Sequence, residues 1–224
     1  MRSFLQQADG VLRADFRLAE TTHVGKVLLR FLKYICLCGL FYGAVMGSFS
    51  GVLGDRFWQV LYSSAKVPVL LIGTFLICLP SFFVLNTLFG VRDDFTRALI
   101  ALTASQAGLT IVLCSLAPLT IAWYGSFANY SAAILFNGLM FAVASLTAQI
   151  ILRRLYRLLI IRNRKHLLLL RVWLALYIFV GVQLGWLLRP FVGEPGLPVQ
   201  MFRQEAWGNA YINIARHVRD LVAP

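Results

Sequence analysis

Five apolar stretches, at roughly 27–50, 66–89, 97–124, 131–152 and 167–188, leave this chain few ways to fold. A helix of about 20 apolar residues matches the ~30 Å hydrocarbon depth of a bilayer. Inside that layer every backbone N–H and C=O must be paired within the protein, so each stretch is expected to be a spanning helix. A soluble alternative would have to hide the excess apolar surface. Hydrophobic residues make up 59% of the 224 and charged residues 13%, against about 45–50% and about 25% in soluble domains, and a chain this short cannot bury such an excess in one core. The expected fold class is therefore all-α, a polytopic membrane helix bundle of about five transmembrane helices with amphipathic helices at both ends. Residues 1–26 form an amphipathic segment, 27–192 the bundle, and 193–224 a loop and tail helix.

The flanking segments carry helical periodicity without enough hydrophobicity to span. Phe4, Leu5, Ala8, Leu12, Phe16 and Ala19 recur on one side of residues 3–20, as in a helix lying on a membrane or docked on the bundle. Asp9, Asp15 and Glu20 interrupt this region and argue against a cleavable signal peptide. The tail repeats the pattern with Trp207, Tyr211, Ile214, Val218 and Leu221. Residues 52–65, with Trp58 and Tyr62, are expected to form an interfacial connection before the second span. Pro68 falls in the first turn of that span, where a missing N–H costs little, whereas Pro80 and Pro118 sit mid-span and predict bends.

Charge sets an expected orientation. The net charge is +12, and a strongly basic soluble protein would suggest nucleic acid, but here the cations flank apolar spans, where they set topology and meet anionic lipid. No nucleic-acid role is expected. Arg153, Arg154, Arg157, Arg162, Arg164 and Lys165 make the link after the fourth span the most basic in the chain. Together with the basic amino-terminal segment they place the amino terminus in the cytoplasm and, after five spans, the carboxy terminus outside. Seventeen arginines against four lysines suit a GC-rich bacterial genome, hence an inner membrane with a periplasmic carboxy terminus.

Residues that could do chemistry are sparse. Gly39, Gly43, Gly47 and Gly51 recur every four residues, so they share one helix face and form a groove where another backbone can approach closely. That face, with Trp207, Tyr211 and Ile214 of the tail, is the candidate packing or partner interface. The five spans contain no Asp or Glu. Their amide side chains are neutral, and Gln106, Asn137 and Gln183 form a candidate polar pocket if they meet. Cys36, Cys38, Cys78 and Cys114 lie in apolar runs, and the first two point about 200° apart on a helix. His23, His166 and His217 have no second ligand at metal-binding spacing, and His166 beside Lys165 reads as an interface residue. Neither a phosphate loop nor a nucleophile elbow occurs, so no cofactor, metal or catalytic role is expected. Arg189-Pro190-Phe191 with Gly193 to Pro198 is the most distinctive polar stretch, serving either as a headgroup anchor or as a docking surface for partners.

The order of parts, with an amino-terminal segment, five closely spaced helices and a carboxy terminus outside, resembles that of the Yip1-type membrane proteins. The stretch from Lys66-Val-Pro68 through Leu79-Pro80-Ser81 to Asn86 and Gly90 is similar to one in bacterial multi-span proteins. The Yip1 resemblance implies partner binding and offers no catalytic residues. Two functions stay open at this level. One is a scaffold or accessory subunit binding other membrane protein subunits or itself; the other is a small channel or transporter for a neutral solute, bent at Pro80 and Pro118 beside the polar residues.

Overall fold

The computed structural model describes residues 4–14 and 24–202. The fold is all-α, with a short first helix followed by five long apolar helices, each long enough to cross a bilayer. They are α1 (Phe4–Arg13), α2 (Val24–Gly47), α3 (Arg56–Leu88), α4 (Phe95–Ser126), α5 (Tyr130–Arg162) and α6 (Lys165–Leu187). The connections are short, so consecutive long helices run antiparallel. The bundle has one end where Asp94 lies and an opposite end formed by residues 48–55, 127–129 and 188–202.

Burial ranks the helices. Two thirds (67%) of the apolar stretch of α4 is buried within the chain, against 17% for α6. Small residues on α4 permit this central position. Ala98, Ala101, Ala104, Ala107 and Gly108 let neighbouring helices approach, and Gly108 faces the end of Ile151 on α5. α2 packs on both α3 and α4, α5 packs on α4, and α6 lies against α3. Trp173 of α6 wedges edge-on between Phe75 and Phe82 of α3, with ring centroids 5.5 and 4.9 Å away. α6 meets α5 beside their connection, where His166 stands edge-on to Tyr156.

Three boundaries differ from the sequence-based expectation. α3 begins at Arg56, so most of the expected 52–65 connection is helix, and Pro68 falls in its second third. Nothing between Arg56 and Pro68 breaks a helix, and the carbonyl that Pro68 frees, on Ser64, lies against Gly43 of α2. α5 continues to Arg162, so Arg153, Arg154 and Arg157 are exposed helical residues and only Asn163 and Arg164 connect the last two helices. α1 ends at Arg13, with Ala14 in the left-handed region (φ 56°), and buries Ala8 and Val11 against the bundle. Phe16 and Ala19 lie outside the described residues, as do Trp207, Tyr211 and Ile214 of the tail.

Candidate functional site

The polar side chains of α3 that matter most stand at Arg56, Gln59, Ser63 and Lys66, spaced 3-4-3 and therefore on one helix face. They grip the segment after α6. Lys66 Nζ donates to the Pro190 carbonyl (2.6 Å), Ser63 Oγ to the Phe191 carbonyl, and Arg56 Nη1 to the Glu194 carbonyl (3.2 Å). Gln59 Nε2 completes the row by donating to Ser63 Oγ (3.0 Å). Each bond to the loop satisfies a carbonyl that would otherwise be stranded near lipid depth. Gly193 allows the close fit, since a Cβ there would lie 2.6 Å from Ser50 Oγ and 2.8 Å from Gln59 Cγ. Lys66 is only 1% exposed. Among the described residues no carboxylate pairs with it.

This clamped loop forms one wall of a crevice of about 400 Å³. Arg189, Pro190, Phe191 and Val192 line that side, Tyr130, Ile134, Asn137, Gly138 and Phe141 of α5 the other wall, and Met46 of α2 and Leu70 of α3 complete the lining. The α5 residues follow i, i+4, i+7, i+8, i+11, a single helical stripe. Asn137 is the amide of that stripe. Its Nδ2 donates to Tyr124 Oη (2.6 Å) and to the Ala133 carbonyl (2.8 Å), and Tyr42 Oη donates to its Oδ1 (3.2 Å). α2, α4 and α5 are thereby tied together at one level.

Gln106 belongs to a different network. Tyr177 Oη of α6 donates to Gln106 Oε1 (2.9 Å). Gln106 and Tyr124 lie five turns apart on α4, about 27 Å at 1.5 Å per residue. Gln106 and Asn137 therefore do not share a pocket; of Gln106, Asn137 and Gln183, only Asn137 lines the crevice. Gln183 sits half-buried on α6. The expected three-residue pocket is corrected to two separate amide–tyrosine pairings, because the helix faces carrying the amides meet different neighbours.

At the opposite end, Asp94 gathers side chains from three elements. Its Oδ1 accepts from Arg97 of α4 (2.8 Å) and Arg162 of α5 (3.1 Å), and its Oδ2 lies 3.3 Å from His166 Nε2 of α6. Lys165 Nζ caps the carboxyl end of α3 through the Phe89 carbonyl (3.0 Å). His166 is fully buried. It is thus an interior tie between helices instead of the interface residue that its neighbour Lys165 suggested. Arg153, Arg154, Arg157 and Arg164 remain on the exposed surface of the same end.

The glycine face is used within the chain. A Cβ on Gly43 would run into the Ser63 carbonyl and lie 2.8 Å from Ser64 Cα, and one on Gly47 would lie 2.8 Å from Val60 Cα. Gly39 faces Pro68 more loosely, at 3.1 Å. Gly39, Gly43 and Gly47 therefore seat α3 on α2, which leaves that face covered and closed to a partner helix. Gly51 has left the helix at φ 107° with open space around it. The four cysteines are free thiols, and among the described residues no three His, Cys, Asp or Glu side chains gather as a metal site.

Three features escaped sequence reasoning: the buried Lys66, the Asp94–His166 tie, and the tyrosine partners Tyr42, Tyr124 and Tyr177. The 56-59-63-66 spacing is a usable signal for the first, once residues 56–65 are taken as helix. Most of the others join residues 71 to 95 positions apart, for which local periodicity holds no signal. Comparisons with protein-family models, curated proteins and solved structures find no match to this chain.

Proposed function

We propose that this protein is a non-catalytic integral membrane scaffold or accessory subunit that binds other membrane protein subunits or a second copy of itself. The supporting observation is the contrast between its interior and its flank. The interior amides and Lys66 are bonded to neighbouring helices or to the loop after α6, whereas only 28% and 17% of the apolar stretches of α5 and α6 are buried. Those two helices turn Leu135, Leu139, Leu146, Leu158, Ile178 and Phe179 outward. A stiff frame with a broad apolar flank suits association within the bilayer, where packing between helices supplies the driving force. The partner surface in this reading is the α5–α6 flank with the amphipathic tail, since α3 covers the glycine stripe.

The same reading places the chain in a bacterial inner membrane, amino terminus in the cytoplasm and carboxy terminus in the periplasm, in the manner of the Yip1-type proteins. The basic end, with Arg153, Arg154, Arg157, Arg162, Arg164 and Lys165, then meets anionic headgroups of the cytoplasmic leaflet. Purification in mild detergent followed by mass measurement tests the proposal. A stoichiometric partner or a defined oligomer is expected; a strictly monomeric particle refutes it.

One observation favours a second reading, a channel or transporter for a neutral solute: Asn137 lines the wall of the crevice. In proteoliposomes that reading requires solute flux that falls in Asn137→Leu. Absent flux, or flux unchanged by the substitution, removes it.

A further inference from the structure

One amide on the outer flank of the bundle stands apart from the two networks already described. Gln106 and Asn137 each bond a tyrosine on another helix. Gln149 of α5 has a buried Oε1 that accepts no hydrogen bond among the described residues. It lies on a helix whose apolar stretch is only 28% buried, one turn inside the exposed Arg153. Hydrocarbon offers no partner to such a group, so a neighbouring polar side chain is the remaining way to satisfy it.

The face around Gln149 has a period of its own. Leu135, Leu139, Ala142, Leu146 and Gln149 follow a 4-3-4-3 spacing, the seam of two helices packed along their length. Leu135, Leu139 and Leu146 are 75, 56 and 66% exposed, and Ala142 is exposed beside them. At about 100° per residue this seam lies on the side of α5 opposite Met140, Ala144, Ala148 and Ile151, the buried stripe that meets α4. No described helix therefore covers it. From Leu135 to Gln149 it runs about 21 Å, within the ~30 Å depth of the hydrocarbon.

We propose that the seam joins two copies of this chain as a parallel homodimer, with Gln149 bonded to its counterpart in the second copy. The inference rests on the scaffold reading and names its partner. An amide carries both a donor and an acceptor, so two glutamines at one depth complement each other reciprocally. Copies inserted in the same direction and related by a two-fold axis along the membrane normal place them so. The three leucines pack on their counterparts, Ala142 lets the backbones approach, and the single polar seam residue fixes the register. The Arg153 side chains emerge at the headgroup layer, where lipid phosphates lie between their like charges.

The test uses the full chain in vesicles of phosphatidylcholine and phosphatidylglycerol. Donor- and acceptor-labelled copies are mixed, and energy transfer is followed as the lipid-to-protein ratio rises. A saturable dimer is expected. Gln149→Leu should weaken it about tenfold, equivalent to about 1.4 kcal/mol, whereas Gln149→Asn keeps the amide and should retain most of the association. Leu119→Ala, on the exposed side of α4, should change nothing. Oxidative crosslinking reads the seam directly should Gln149→Leu misfold. Against a wild-type baseline, Leu139→Cys and Leu146→Cys should give covalent dimers and Leu76→Cys, exposed on α3, should not. The inference is overturned if Gln149→Leu associates as tightly as wild type, or if crosslinks fail at both seam positions. A chain that never self-associates but holds a different membrane protein at fixed stoichiometry overturns it and leaves the scaffold reading standing; a monomer without any partner overturns both.

Discussion

Alanine substitution along the glycines should change sign from one position to the next, and the α2–α3 geometry sets the order. Replacing a helical glycine by alanine gains about 1 kcal/mol of helix propensity. Against this stands the cost of forcing a methyl into a filled contact, about 1–3 kcal/mol. At Gly43 the new Cβ meets backbone, the Ser63 carbonyl and Ser64 Cα, and at Gly47 it meets Val60 Cα and the Gln59 carbonyl at 2.8–2.9 Å. Backbone atoms cannot rotate aside, so the whole of α3 must retreat, and the upper end of the range applies. The net expectation is a loss of about 2 kcal/mol at each position. At Gly39 the nearest atom is Pro68 Cγ at 3.1 Å, where a shift of a few tenths of an ångström suffices and the two effects cancel to about zero. At Gly138 nothing lies within 4 Å, so propensity alone acts and Gly138→Ala should stabilise by up to about 1 kcal/mol. Reversible unfolding of each variant in mixed micelles, followed by circular dichroism, measures the series. Equal effects at Gly43 and Gly138, or a stable Gly43→Ala, would show that the glycines do not seat α3 on α2.

The separation of the two amide networks predicts additivity: Gln106→Leu and Asn137→Leu should each cost about 1–3 kcal/mol by stranding tyrosine hydroxyls. The double variant should equal their sum within about 0.5 kcal/mol; strong coupling in the same unfolding assay would mean that the amides share a site. At the other end, Asp94→Ala should couple more strongly to His166→Leu than to Arg162→Leu in double-mutant cycles. The buried imidazole loses a needed partner, while the Arg162 side chain is 63% exposed and such pairs contribute about 0–1 kcal/mol. Lys66→Met combined with Ser63→Ala removes the clamp on Pro190 and Phe191, so proteolysis or amide exchange in residues 190–202 should rise while the helices α2, α4 and α5 keep their protection. Unchanged protection of the loop would refute the clamp.

Much of the architecture is legible in the order of residues, and for one reason. Lipid offers no hydrogen bonds, so an apolar stretch of sufficient length must satisfy its own backbone as a helix. The five spans follow from that condition residue by residue. Boundaries are less legible where the chain leaves the apolar layer. Arg56 to Ser64 is polar enough to resemble a connection, yet helix continues there because its polar face finds the loop after α6. Arg153 to Arg162 likewise continues α5, its buried side carried by Leu155, Tyr156 and Leu159.

Local spacing and the surrounding solvent are thus enough to dictate five spanning helices and one close helix contact along the glycines of α2. Which helix fills that contact is a property of the assembled bundle, and it is α3 of the same chain. The bundle also assigns Gln106 and Asn137 to separate tyrosines, ties α6 to α4 through His166 and Asp94, and buries Lys66 beneath Pro190. Such pairings depend on which faces meet across the bundle, and all but the Asn137–Tyr124 bond join residues at least 71 positions apart. No period along the chain encodes that choice; the summed packing of all five helices selects it.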